Sequence, residues 1–310
     1  MSLRIGVVGA GAIGGFLTAH LSRAGGAVHV LARGATLAAW RDGGLTLTDD
    51  AGTFTVRPAQ VAGRAEEIGP VDIVVFTVKG QDSAAAAEAM APMVGPATQT
   101  LSFQNGLAGV EELERHFGAA RVLPGVTYVP ATVPEPGQVR HTGPMRRFVF
   151  GPMAGPVPDA ARAFADLGTA AGLEMLLRDD PMPEIWAKFI MLAPFHLVSC
   201  LTRLPLGGWS GVAETFDVYA RGMEEVASIA RAMGARLPEG IVQRNLDFSL
   251  NTADPRTRAS MLDDLERGRP LEMEATIGWL VGKARALGVP APVLETGRAL
   301  LLPHKDGQVA

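Results

Sequence analysis

The chain has 310 residues, 47% hydrophobic and 19% charged, with 37 glycines and 22 prolines scattered along it. That composition excludes a disordered, collagenous or low-complexity protein and supplies enough chain for two domains. Lys and Arg total 28 against 32 Asp and Glu, a formal charge of -4. No global positive field exists to hold nucleic acid or an anionic membrane, and a small molecule is the expected partner.

One cysteine, Cys200, excludes an intramolecular disulfide, and the six histidines form no Cys/His cluster of zinc spacing. A reducing compartment and no metal are expected. The opening MSLRIGVVGAGAIGG is apolar for too short a distance to span a bilayer and runs into glycines, which reads as mature structure. The apolar window Phe189 to Leu201 is interrupted by Pro194 and His196 and falls short of the roughly 20 residues a bilayer needs, so a soluble, cytoplasmic protein is expected.

In chain order, Arg4 to Val8 reads as a buried strand, Ala12 to Ala24 as a helix and Val28 to Ala32 as a second strand. Leu45 to Val56 suits a β-hairpin. Val71 to Val78 is a near-continuous apolar run, as in parallel strands covered on both faces. Ser83 to Met93 is an Ala-rich helix, Thr100 to Phe103 a strand, Val110 to Phe117 a helix with Glu111 and Glu112 in its first turn, and Val122 to Val129 a strand. This βαβ alternation predicts a Rossmann-like doubly wound sheet. From Pro158 onward β-branched runs give way to helical periodicity, with helices expected over Glu184 to Leu201, Ala213 to Met233, Thr257 to Arg267 and Glu274 to Leu287. Gly234 and Gly288 stand where helices stop. Arg178 to Pro183 reads as the linker between an α/β domain over 1–178 and an all-α domain over 179–310.

Gly9, Gly11 and Gly14 form G-x-G-x-x-G after the first strand and at the mouth of the first helix. A tight turn, close approach to a pyrophosphate and close helix packing each need a missing side chain there, while free N–H groups and the helix dipole attract the anion. An NAD site would put a carboxylate at the end of the second strand. This chain has Arg33, which suits the 2′-phosphate of NADPH. Lys79 and Asn105-Gly106 each follow a strand, at the sheet edge where ligands bind. Lys188, Leu192, His196 and Ser199 share or adjoin one helix face. A lysine there either snorkels to water or sits in a cleft with a shifted pKa, and spacing alone favours snorkelling. His196 alone reads as a core histidine, and Glu272 alone as a first-turn acid favoured by the helix dipole.

Taken together, these segments resemble the ketopantoate reductase (2-dehydropantoate 2-reductase) family over nearly the whole chain. The resemblance is carried by G-A-G-A-I-G-G (9 to 15), Arg33, T-V-K (77 to 79) and Q-N-G (104 to 106) with V-E-E-L after it. It continues through W-A-K-F (186 to 189), S-C-L-T (199 to 202), S-M-L-D-D (260 to 264), L-E-M-E (271 to 274) and A-R-A-L-G-V-P-A-P (284 to 292). The resemblance implies NADPH-dependent reduction of the C2 ketone of a 2-oxo acid, ketopantoate being the family substrate. It further implies Lys188 as general acid, Glu272 beside cofactor and lysine, Asn105 on nicotinamide ribose and substrate, and Ser260 on the substrate. Ala10, Ala12 and Ile13 of the glycine motif, Lys79 and Ala131 would line the cofactor.

Three positions depart from the family pattern: Leu192, His196 and Leu206 stand where it has asparagines. Losing such partners weakens recognition of a substrate hydroxyl, so a bulkier or more apolar 2-oxo acid is the alternative substrate, with His196 left to pair with its carboxylate or hydroxyl. Two rival readings are a 3-hydroxy acid or opine dehydrogenase of the same plan, and a non-catalytic NADPH-binding module. The W-A-K-F and S-M-L-D-D segments speak against the first, and retention of both Lys188 and Glu272 against the second. The C-terminal helices are candidates for a homodimer interface, although no heptad seam is visible.

Overall fold

In the computed structural model, which describes residues 3–307, the chain divides into two compact units. Met1–Gln104 and Gly109–Pro181 make the first; Asn105–Ala108 and Met182–Ala310 make the second.

The first unit begins with β1 (Arg4–Val8), α1 (Ala12–Arg23), β2 (Ala27–Leu31), α2 (Gly34–Asp42), β3 (Leu45–Asp49), β4 (Gly52–Val56) and β5 (Gln60–Ala62). It continues with β6 (Val71–Phe76), α3 (Ser83–Ala89), β7 (Val94–Ser102), α4 (Ala108–Phe117) and β8 (Val122–Tyr128). It closes with β9 (Ala131–Thr132), β10 (Gln138–His141), β11 (Arg147–Phe150), α5 (Asp159–Ala170) and β12 (Glu174–Leu177). Eight strands form one sheet in the order β5-β2-β1-β6-β7-β8-β11-β12, parallel throughout except where β11 runs against β8. Strand order reverses between β1 and β6, the switch point at which open α/β sheets hold their ligands. Ile73, Val74, Val75 and Phe76 of β6 are fully buried, as covering on both faces requires.

α1 is buried continuously from Gly14 to Leu21, because a second, four-stranded sheet, β4-β3-β10-β9, covers what the main sheet leaves exposed. Phe16 stacks against Phe148 of β11 and packs its ring on His20 and on His141 of β10. The expected hairpin is present as β3 and β4. Its extension by β10 is parallel to β3, a long-range pairing that local pattern does not signal. β12 corrects the expectation that only helices follow Pro158: its sequence EMLL lacks β-branched residues, and parallel pairing with β11 makes it a strand. The helices α2 and α5 occupy stretches to which the sequence pattern assigns no element.

The second unit holds only helices among its described residues: α6 (Met182–Thr202), α7 (Leu206–Trp209), α8 (Ala213–Ala232), α9 (Ile241–Asn251), α10 (Ser260–Glu266), a π-helical turn (Glu274–Gly278) running into α11 (Trp279–Leu287), and α12 (Pro292–Leu301). α6 is its axis, with α8, α9, α10 and α12 packed around it. Its 21 residues have a mean hydropathy of 1.5 over the most apolar window, so by length and composition it could cross a membrane, contrary to the sequence expectation. The helix runs on through Pro194, whose ring lies against Gly222 of α8, and 67% of that window is buried within the protein. Burial at the centre of a helical core accounts for its apolarity. α10 starts at Ser260 and not Thr257, since Asp254 turns the chain first by accepting the Arg256 N–H at 2.8 Å.

Candidate active site

The three glycines meet three different demands. Gly9 has φ +104°, and a Cβ there would stand 2.6 Å from the Thr77 backbone. A Cβ on Gly14 would stand 2.0 Å from the Gly9 carbonyl oxygen and 2.6 Å from Thr77 Oγ1. Around Gly11, by contrast, nothing lies within 4 Å of a Cβ, so its backbone faces open space at the N-terminus of α1. Thr77 holds the turn, donating Oγ1–H to the Gly9 carbonyl at 2.8 Å. Ala10, Ala12 and Ile13 stand half-buried along the same loop and helix start.

Arg33 caps α2 just past β2, its side chain 80% exposed and paired with Asp82 at 2.8 Å. An ion pair so exposed is worth about 0–1 kcal/mol, so the guanidinium can turn to a ligand at little loss. Residues 31–36 include no carboxylate. Lys79 is exposed and caps the 3-10 turn Gly80–Asp82, which brings it and Arg33 to one edge of the sheet. Gln104, buried after β7, donates Nε2–H to the Val78 carbonyl and to Ser83 Oγ, both at 2.8 Å, fixing the loop that carries Lys79. The Q-N-G motif drew attention to Asn105 and not to this bracket. Ala131 opens β9, half-buried against the core.

In the second unit Lys188 does not snorkel. Its Nζ donates to Asn105 Oδ1 at 3.2 Å, and Asn245 Nδ2 donates to the adjacent Ala187 carbonyl at 2.9 Å, tying α9 to the first turns of α6. Gly106 lets the chain lie on Phe189: a Cβ there would stand 2.8 Å from the ring. Burial pushes the Lys188 ammonium down to about 8, with the Glu272 carboxylate pulling it upward. Glu272 is buried and precedes the π-helical turn, and Thr276 donates its hydroxyl to the Glu272 carbonyl at 2.9 Å. Single π turns inside helices recur at functional sites, and nothing in the residue pattern announces this one.

Asn105, Lys188 and Glu272 are thus brought together. His196 lies two turns further along α6 and is buried, while Leu192, between them, is half-buried. Leu206 is buried at the start of α7. Ser260 is exposed at the start of α10, which packs on α6.

Residues 5–155 match the family described as ketopantoate reductase PanE/ApbA, and residues 180–303 match its C-terminal part. A 2-dehydropantoate 2-reductase of Mesorhizobium japonicum is 32% identical over 96% of this chain and 97% of that protein. One from Mycobacterium tuberculosis is 31% identical over 99% of each. The crystal structure of a PanE/ApbA family ketopantoate reductase from Ralstonia eutropha JMP134 is similar with a TM-score of 0.88 at 29% identity, over 98% of each chain.

Proposed function

Because this chain belongs to the ketopantoate reductase family along both of its units, we propose that it reduces the C2 ketone of 2-dehydropantoate to the alcohol of pantoate, with NADPH as hydride donor and Lys188 as proton donor. The open backbone at Gly11, with the α1 N-terminus beside it, fits a pyrophosphate. Arg33 and the lack of a carboxylate after β2 support the 2′-phosphate of NADPH over NADH. Lys79 and Ala131 would line the same cofactor. When bound, the reduced nicotinamide supplies the hydride.

The observation that carries the reading is the state of Lys188. A ketone that gains hydride becomes an alkoxide, and a cationic donor held beside it stabilises that charge and then quenches it. Burial makes the Lys188 proton easier to give up than an ordinary lysine's, while Glu272 and Asn105 keep the ammonium charged and aimed. Glu272 and Asn105 thereby act on the proton donor, and Asn105, His196 and Ser260 are the polar groups this reading assigns to the substrate. Leu192 and Leu206 favour one variation on this chemistry, a 2-oxo acid with a more apolar side chain.

The test is NADPH oxidation, followed by absorbance, with ketopantoate, 2-oxoisovalerate and phenylpyruvate in parallel. Highest kcat/KM with ketopantoate is expected. Turnover of the other two alone would move the chain to the apolar variation, and no turnover of any would remove the reductase reading.

A further inference from the structure

We propose that the far end of the helical unit holds a second anion site, which binds a phosphate or small phosphate monoester and takes no part in the reduction. A cavity of about 330 Å³ opens there, at the lower end of the size range of small-molecule sites. Arg203, Arg267, Arg269 and His304 line it together with Glu266 and Gly307. Three arginines and a histidine thus stand with a single acidic residue in its lining, on a protein whose net charge is -4.

The ion pairs around the cavity show which of these charges remain open. Asp264, buried, holds Arg269 Nη2 at 2.7 Å and so fixes that guanidinium in place. Arg258 answers Glu266 from outside the cavity and also pairs with Asp263 at 2.9 Å. Neither Arg203 nor Arg267 has an ion pair or a side-chain hydrogen bond among the described residues. Two exposed arginines among the lining residues therefore carry no ion pair, and a phosphoryl group matches the planar donor fork of a guanidinium.

The backbone supports the same reading. Arg203 follows the last turn of α6 with φ +57°, the left-handed conformation for which glycine is the usual choice at that position. It is the one non-glycine among the described residues with positive φ. Helix capping does not account for an arginine there, since its guanidinium bonds none of the α6 carbonyls. Backbone strain of this kind clusters at ligand clamps and binding sites. Fourteen residues of helix, about 21 Å of rise, lie between Lys188 and Arg203, so the cavity is distinct from the candidate active site.

The test is thermal melting of the full chain under saturating NADP, titrated with inorganic phosphate against chloride at matched ionic strength. The parent is compared with the double variant Arg203→Ala/Arg267→Ala. A saturable rise in Tm with a midpoint on the order of 1 mM is expected for the parent, with the midpoint at least tenfold higher in the double variant and phosphate-free turnover unchanged. Arg267→Ala alone, on an exposed loop, serves if the double variant melts early. A response no larger than that to chloride, or the same phosphate response in parent and variant, would overturn the site.

Discussion

At Lys188 two effects oppose each other and burial is the larger: desolvation lowers the ammonium pKa to about 8 against the pull of Glu272. At neutral pH the lysine is still protonated by about ten to one, so it is both charged and ready to donate. Arg33 carries a separate claim. Its exposed pair with Asp82 contributes little to stability, so Arg33→Ala is expected to leave the melting temperature in place. Its effect should fall on the cofactor, lowering kcat/KM for NADPH relative to NADH by roughly ten- to a hundredfold, the worth of a charge-assisted hydrogen bond. An unchanged ratio would show that the 2′-phosphate is held elsewhere. Both residues stand out in the chain, Arg33 by position after a strand and Lys188 by an apolar helix face. The direction in which Lys188 turns was not legible, because Asn105, which decides it, lies 83 residues away.

Among the elements, the glycine loop offers a paired test in which packing and ligand binding separate. Gly14→Ala places a methyl into the Gly9 carbonyl and Thr77 hydroxyl, an overpacking expected to cost about 1–3 kcal/mol and several degrees of Tm. Gly11→Ala meets nothing in the protein, so Tm should hold while KM for NADPH rises. If both variants melt alike and bind alike, the cradle does not serve a dinucleotide. A second element rests on a remote residue: both carboxylate oxygens of Glu225, on α8, accept the Val293 and Leu294 N–H groups at 2.8 and 2.9 Å, capping α12. Glu225→Ala is expected to destabilise the protein by about 1–2 kcal/mol in denaturant unfolding, with activity per folded molecule retained. Elements with a strong local period, such as β1, β6, α6 and α8, were legible from the chain. β10, β12 and the π turn after Glu272 depend on partners distant in sequence, and no local pattern encodes them.

For the whole molecule, the change of texture after Pro158 separates sheet from helices well enough to read, but not the path of the chain around Asn105. Gln104 belongs with the sheet and brackets the Lys79 loop, while Asn105, its neighbour, belongs with the helices and accepts from Lys188. One motif is therefore divided between the two units. The central claim is that Lys188 protonates the alkoxide of ketopantoate, and the most direct measurement is kcat/KM for ketopantoate at saturating NADPH, from about pH 6 to about pH 10, in the parent and in Lys188→Ala. The parent is expected to be flat at low pH and to fall about tenfold per pH unit above about 8, as the donor loses its proton. Lys188→Ala is expected to lose roughly 10²–10⁴ in rate together with that limb, while still binding NADPH. A parent that ignores ketopantoate, or a variant that keeps both the rate and the profile, would contradict the claim.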